Sequence, residues 1–93
     1  MLIKKLYRFI IRDFRSKRGN KFEIIDKFLF EYRWFYIIRP KNKNIISSRI
    51  SYVIPEYPVN LDSERLKMLR SGILWNLMNN NKYRGRHYLI VLC

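Results

Sequence analysis

Apolar and polar positions along the chain mark out six segments. Tyr7, Phe9 and Ile11 alternate with Arg8 and Arg12, which predicts a strand with one buried face. Ser16-Lys17-Arg18-Gly19-Asn20 interrupts that alternation. Asn20 then has the chemistry of a helix N-cap, with Glu23 three residues on to reach back to its amide. Phe22, Ile25, Leu29 and Tyr32 follow at helical spacing, and Glu23 and Lys27 form a favourable i,i+4 pair, so a first helix is predicted here. Residues 33–39 are β-branched and aromatic, a strand that Pro40 ends. Lys41-Asn42-Lys43-Asn44 is a polar turn, and Ile46, Ser48, Ile50, Tyr52 and Ile54 share one face of the next strand. These two strands predict a hairpin with a basic tip.

Pro55-Glu56-Tyr57-Pro58 reads as a stiff loop, because a residue before proline is pushed to extended geometry. After Asp62-Ser63, Leu66, Leu69, Ile73 and Leu77 recur at helical spacing and predict a second helix. Gly72 lies inside it, at a cost of up to about 1 kcal/mol relative to Ala. Asn79-Asn80-Asn81-Lys82 ends the helix, and a last strand over 87–92 follows Gly85. The expected order is strand, helix, strand, strand, helix, strand. In so short a chain that is an α+β fold, the ferredoxin-like βαββαβ sandwich, with a four-stranded antiparallel sheet and two helices on one face. The length, 93 residues, suits a single basic domain spanning 1–93.

Charge changes the picture most. Lys and Arg number 20 against 7 Asp and Glu, a net charge of +13. Residues 1–50 carry +10 of it and residues 51–93 the remaining +3. A surplus this large repels itself in a compact state, so it implies a polyanion that neutralises it, either nucleic acid or an anionic membrane face. Merely soluble small domains stop at a net charge of about 2 to 8. At 48% hydrophobic and 16% aromatic the chain is too apolar for a disordered tail. Its longest apolar runs fall far short of the roughly 20 residues of a bilayer-spanning helix, so no transmembrane segment is expected. Ala, Thr and Gln are absent, while Phe, Tyr, Met, Ile, Asn and Lys supply 46 of the 93 residues. Those six types have AT-rich codons, which points to a gene in an AT-biased genome such as that of a mitochondrion or plastid. The basic, amphipathic first 18 residues have the charge of an import presequence, but one Ser and no Ala. A gene already inside the organelle needs no such signal.

Enzyme chemistry is not expected. The carboxylates are scattered, and most lie beside a Lys or Arg; Glu23, Asp26 and Glu31 read as a solvated helix face. His87 is the only histidine and Cys93 the only cysteine, too few for a metal site or a disulfide framework. Gly19, Gly72 and Gly85 are isolated, so no phosphate-cradling glycine loop is present. Catalytic residues, metal, cofactor and small-molecule substrate are therefore all absent from the expectation. What is present is three basic clusters in turns, over 12–21, 39–49 and 82–86. Arg12, Arg15, Lys17, Arg18, Arg39, Lys41, Lys43, Arg49, Lys82, Arg84 and Arg86 are the candidate RNA-binding residues. Arg can hold a phosphate bidentately and Lys acts as a point charge, while nearby Asn side chains can reach sugar and phosphate. Phe35, Tyr36 and Tyr52 lie on central strands without the Gly-Phe-rich run of an RNA-recognition domain, and are assigned to the core.

A family resemblance enters at the loop. Ser51-Tyr52-Val53-Ile54-Pro55-Glu56-Tyr57-Pro58-Val59-Asn60-Leu61-Asp62-Ser63-Glu64-Arg65 resembles the long loop of small-subunit ribosomal protein ten. Val53, Ile54, Val59, Asn60 and Ser63 fall on like positions, Pro58 is displaced by one, and Arg39-Pro40-Lys41 is similar to that family's Leu-Pro-Lys turn. The likeness covers about a third of the chain, and after the loop that family has a strand. Arg12-Asp13 with Arg15, Lys17, Arg18 and Glu23 is similar instead to the opening helix of small-subunit protein fourteen, whose later motifs are absent. The resemblance to protein ten implies a structural, rRNA-binding protein of a small ribosomal subunit, and the AT-biased composition places that subunit in an organelle, a mitochondrion with its matrix being expected. It implies further that Pro55, Tyr57, Pro58, Val59, Asn60 and Ser63 contact neighbouring ribosomal proteins. The alternative is a peripheral accessory subunit of an inner-membrane respiratory complex, its basic face resting on cardiolipin head groups.

Overall fold

A computed structural model describes residues 8, 10, 12, 21–41 and 50–92 of the chain. Four strands, β1 (Phe22–Phe30), β2 (Arg33–Pro40), β3 (Ile50–Pro55) and β4 (His87–Ile90), form one sheet in sequence order. β1, β2 and β3 pair antiparallel in succession, whereas β4 runs parallel to β3. The parallel pair is joined by helix α1 (Ser63–Met78), which covers one face of the sheet. The fold is therefore a mixed sheet with a βαβ unit at one side, not the antiparallel two-helix ferredoxin-like sandwich.

Two expected elements are exchanged. The predicted first helix is strand β1. A register shift between Ile24 and Asp26 makes a bulge that resets which face each residue takes. Phe22 and Ile24 share a face with Ile38, but Asp26 and Phe28 share the opposite face with Ile37 and Phe35. The bulge thus breaks the two-residue period, and Phe22, Ile25 and Leu29 imitate a helical one. Glu23 pairs across the sheet with Arg39, not along a helix with Lys27. The predicted first strand is also overturned: Arg8, Ile10 and Arg12 are helical. Residues four apart lie on one helix face and the residue midway points away, which is why Arg8 and Arg12 are exposed and Ile10 is fully buried. Tyr7, Phe9, Ile11 and the proposed cap Asn20 lie outside the described residues.

The other elements stand where the pattern places them, with shifted ends. β3 begins at Ile50, and Ile46 and Ser48 lie outside the described residues. Asp62 caps α1, its carboxylate accepting from the Arg65 amide at 2.8 Å. Leu69, Ile73 and Leu77 are the buried stripe of that helix, set against Phe35, Ile37, Val53, Ile90 and Leu92. A second cluster on the other face of the sheet joins Ile10 to Phe22, Ile38, Tyr52, Ile54 and Val91. Gly72 has a packing reason: a Cβ there would lie 3.0 Å from the Phe30 ring.

The β1–β2 connection is a two-residue turn, since Phe30 pairs with Arg33. Glu31 and Tyr32 carry it with φ of 50° and 65°, the positive pair that type I′ geometry requires and that Asn-Gly usually supplies. Left-handed backbone costs a residue with a Cβ about 1–2 kcal/mol. Replacing Glu31→Asn and Tyr32→Gly together is expected to raise the melting temperature by several degrees for a domain of this size. A lower one, measured by circular dichroism, would mean that the turn holds no strain.

Candidate nucleic-acid interface

The strand registers sort the charged residues by the ends of the sheet. Phe22 opposite Pro40, Ile38 opposite Tyr52 and Ile50 opposite His87 bring one end of all four strands together. Lys21, Arg39, Lys41, Arg86 and His87 therefore gather at that end, members of all three predicted basic clusters meeting across the sheet. Lys41 is exposed, and its amide donates to the Lys21 carbonyl at 2.8 Å, which ties the start of β1 to the end of β2. Arg39 is half-buried beside Glu23. Arg84 and Arg86 are exposed in the turn after α1, where Gly85 has φ 87°. Arg12 is exposed on the N-terminal helical residues. Arg15, Lys17, Arg18, Lys43 and Arg49 lie outside the described residues.

Lys82 does something the charge pattern did not anticipate. Its ammonium is 2.7 Å from the Asp26 carboxylate, which also accepts a hydrogen bond from the Tyr83 hydroxyl. Those partners hold the Asp26 carboxyl down at about 2, the Lys82 bond being the strongest cause. Burial, reinforced by the Asp26 contact, pushes the Tyr83 phenol up to about 12. Lys82 thus pins the turn after α1 to β1 and is partly neutralised before any outside anion arrives.

At the opposite end of the sheet the loop residues separate. Val59 is buried in the α1-facing cluster and its amide donates to the Leu92 carbonyl at 3.2 Å, so it is a structural anchor. Pro55 is likewise buried, as the last residue of β3. Tyr57, Pro58, Asn60 and Ser63 are exposed. Tyr57 and Pro58, with Tyr32, Arg33, Trp34, Pro55 and Glu56, line a cleft of about 210 Å³. Pattern reading did not find this cleft, because placing Tyr32 in a helix sends its side chain elsewhere.

Among the described residues no group of His, Cys, Asp and Glu is placed to hold a metal ion, and no helix is long and apolar enough to cross a membrane. Comparison with protein-family models, curated proteins and solved structures yields no match.

Proposed function

We propose that this chain is a structural RNA-binding protein of an organellar, mitochondrial small ribosomal subunit, without catalytic activity, working among ribosomal RNA and neighbouring ribosomal proteins in the matrix. The observation that carries the reading is the charge: +13 on 93 residues, with basic side chains from separate turns converging on one end of the sheet. Such an end is suited to phosphate, because it offers several exposed cations, Lys21, Lys41 and Arg86 among them, to one polyanion. The AT-biased composition supports the organelle. The loop resemblance adds little, since α1 runs on through Met78 over the stretch where the family of protein ten has a strand after its loop.

Lys41→Ala with Arg84→Ala and Arg86→Ala tests the phosphate assignment. Each lost contact should reduce the slope of log affinity against log salt by about 0.7 to 0.9, on any RNA sequence. An unchanged slope in filter binding would remove this end of the sheet from the interface.

The respiratory alternative draws on a separate observation. Met68, Trp75 and Met78 are exposed along α1, with Leu74 beside them, an apolar stripe of the kind that meets a partner or a membrane surface. Nuclease treatment separates the two readings. The particle carrying this protein should fall apart with RNase if it is a ribosomal subunit and stay intact if it is a respiratory complex.

A further inference from the structure

We propose that the cleft between the β1–β2 turn and the 55–58 loop captures one unpaired nucleobase of single-stranded RNA, with guanine preferred. The inference rests on the RNA-binding reading and adds to it a base-reading site, at the far end of the sheet from the phosphate-binding cluster.

Three observations carry it. The first is the lining. Tyr32, Trp34 and Tyr57 are 99%, 43% and 72% exposed, and Pro55 and Pro58 complete the walls. Flat apolar side chains held out to solvent provide stacking surfaces, and bases stack on such surfaces whatever their sequence. The volume, about 210 Å³, is below the roughly 300–1,000 Å³ of pockets for drug-sized ligands, so it suits one ring system.

The second is strain. Tyr32 adopts φ 65° next to Glu31 at φ 50°, in a turn where glycine and asparagine are the unstrained choices. Its ring is almost wholly in water, so burial returns nothing to the fold for that cost. Strain that no packing contact recovers is a mark of a functional position.

The third is the polar complement. The Glu56 backbone is fixed to β2, its amide donating to the Trp34 carbonyl at 2.9 Å. Its carboxylate accepts from the Tyr36 hydroxyl at 3.5 Å, which orients it beside the cleft and helps burial push that phenol up. A carboxylate has about four acceptor sites, so others are left for a guest. Guanine presents two adjacent donors, N1–H and N2–H, to one carboxylate, whereas adenine has an acceptor at N1. Arg33 on the same wall matches the phosphate that accompanies a base, and it opposes a quaternary ammonium, the other guest that aromatic walls attract.

The test uses the full chain with Trp75→Phe. Trp75 is exposed on α1, and its removal leaves Trp34 as the sole tryptophan reporter. Uridine octamers carrying one central guanine, one central adenine or neither are titrated at low salt. The guanine octamer is expected to quench Trp34 emission and to bind about tenfold more tightly than the all-uridine one, the scale of one stacked base. Glu56→Gln should abolish the preference of guanine over adenine, and Tyr57→Ala should weaken both, with the salt slope unchanged in each. Tyr32→Gly should weaken guanine binding while keeping or raising the melting temperature, which a merely structural tyrosine would not do. Equal binding of all three octamers, with Trp34 emission unmoved and a normal salt slope, would overturn the base site while sparing RNA binding. No binding of any octamer would overturn both. Saturable quenching by tetramethylammonium in place of RNA would reassign the cleft to a cation.

Discussion

Phe35→Ala is expected to lower the unfolding free energy by about 3–5 kcal/mol, a large share of the roughly 5–15 kcal/mol that small domains have. Phe35 is fully buried at the centre of the α1-facing cluster. Its ring stacks on Phe28 at 5.5 Å with the planes 18° apart, and it sits opposite Phe28 on β1 and Pro55 on β3. Truncation leaves a cavity bordered by rigid strands on both sides, which can close only in part. The neighbouring Trp34 is the internal control, because it takes the other face of β2 and is 43% exposed. Trp34→Ala should cost clearly less. Urea unfolding of the two variants measures both, and a cost below about 1 kcal/mol for Phe35→Ala would mean that the faces of β2 are assigned the wrong way round.

Which elements were legible follows from how many residues their pattern repeats over. α1 was readable because Leu66, Leu69, Ile73 and Leu77 keep one period through about three turns, with Asp62-Ser63 as a start signal. β2 was readable because seven consecutive β-branched, aromatic and basic residues end at a proline. β1 was not, since a single bulge at Ile25 changes the phase and the short apolar run then fits either period. Its two-residue turn also hides, because Glu31-Tyr32 has none of the glycine or asparagine that usually marks positive φ. Once β1 is a strand, the topology must change too. β4 then lies beside β3 and parallel to it, a pairing that no local pattern encodes.

The candidate site divides the same way. Charge is additive and needs no fold, so the net charge of +13 could be read from the sequence. That Lys41 and Arg86 share one end of the sheet could not, because it depends on the registers of two strand pairs, β2 with β3 and β3 with β4. The cleft needed more still, as it joins residues 32–34 to residues 55–58. Pro55-Glu56-Tyr57-Pro58 was the available hint: a stiff loop holding an acid and an aromatic side by side.

The contact of Asp26 with Lys82 and Tyr83 should make stability fall at both ends of the pH scale. Asp26 has its carboxyl lowered from 3.8 to about 2, chiefly by Lys82 and then by Tyr83. A lowered carboxyl stabilises the fold wherever it is ionised in both states, above about pH 4, and that contribution is lost as pH falls from there toward 2. Tyr83 is raised from 10.0 to about 12, first by burial and then by Asp26. A raised phenol contributes below pH 10 and loses that contribution as pH climbs toward 12. The Asp26 side chain is only 22% exposed, but Lys82 is 69% exposed and water screens it. The acid-side contribution is accordingly about 1–2 kcal/mol, somewhat below the full conversion of the shift. Asp26→Asn should be destabilised by that amount at pH 7 and match the parent near pH 2. Tyr83→Phe should likewise flatten the loss between pH 10 and 12. Urea midpoints at pH 7 and pH 2.5 decide the acid side. An equal deficit for Asp26→Asn at both would show that the carboxylate charge contributes nothing and that only its shape is used.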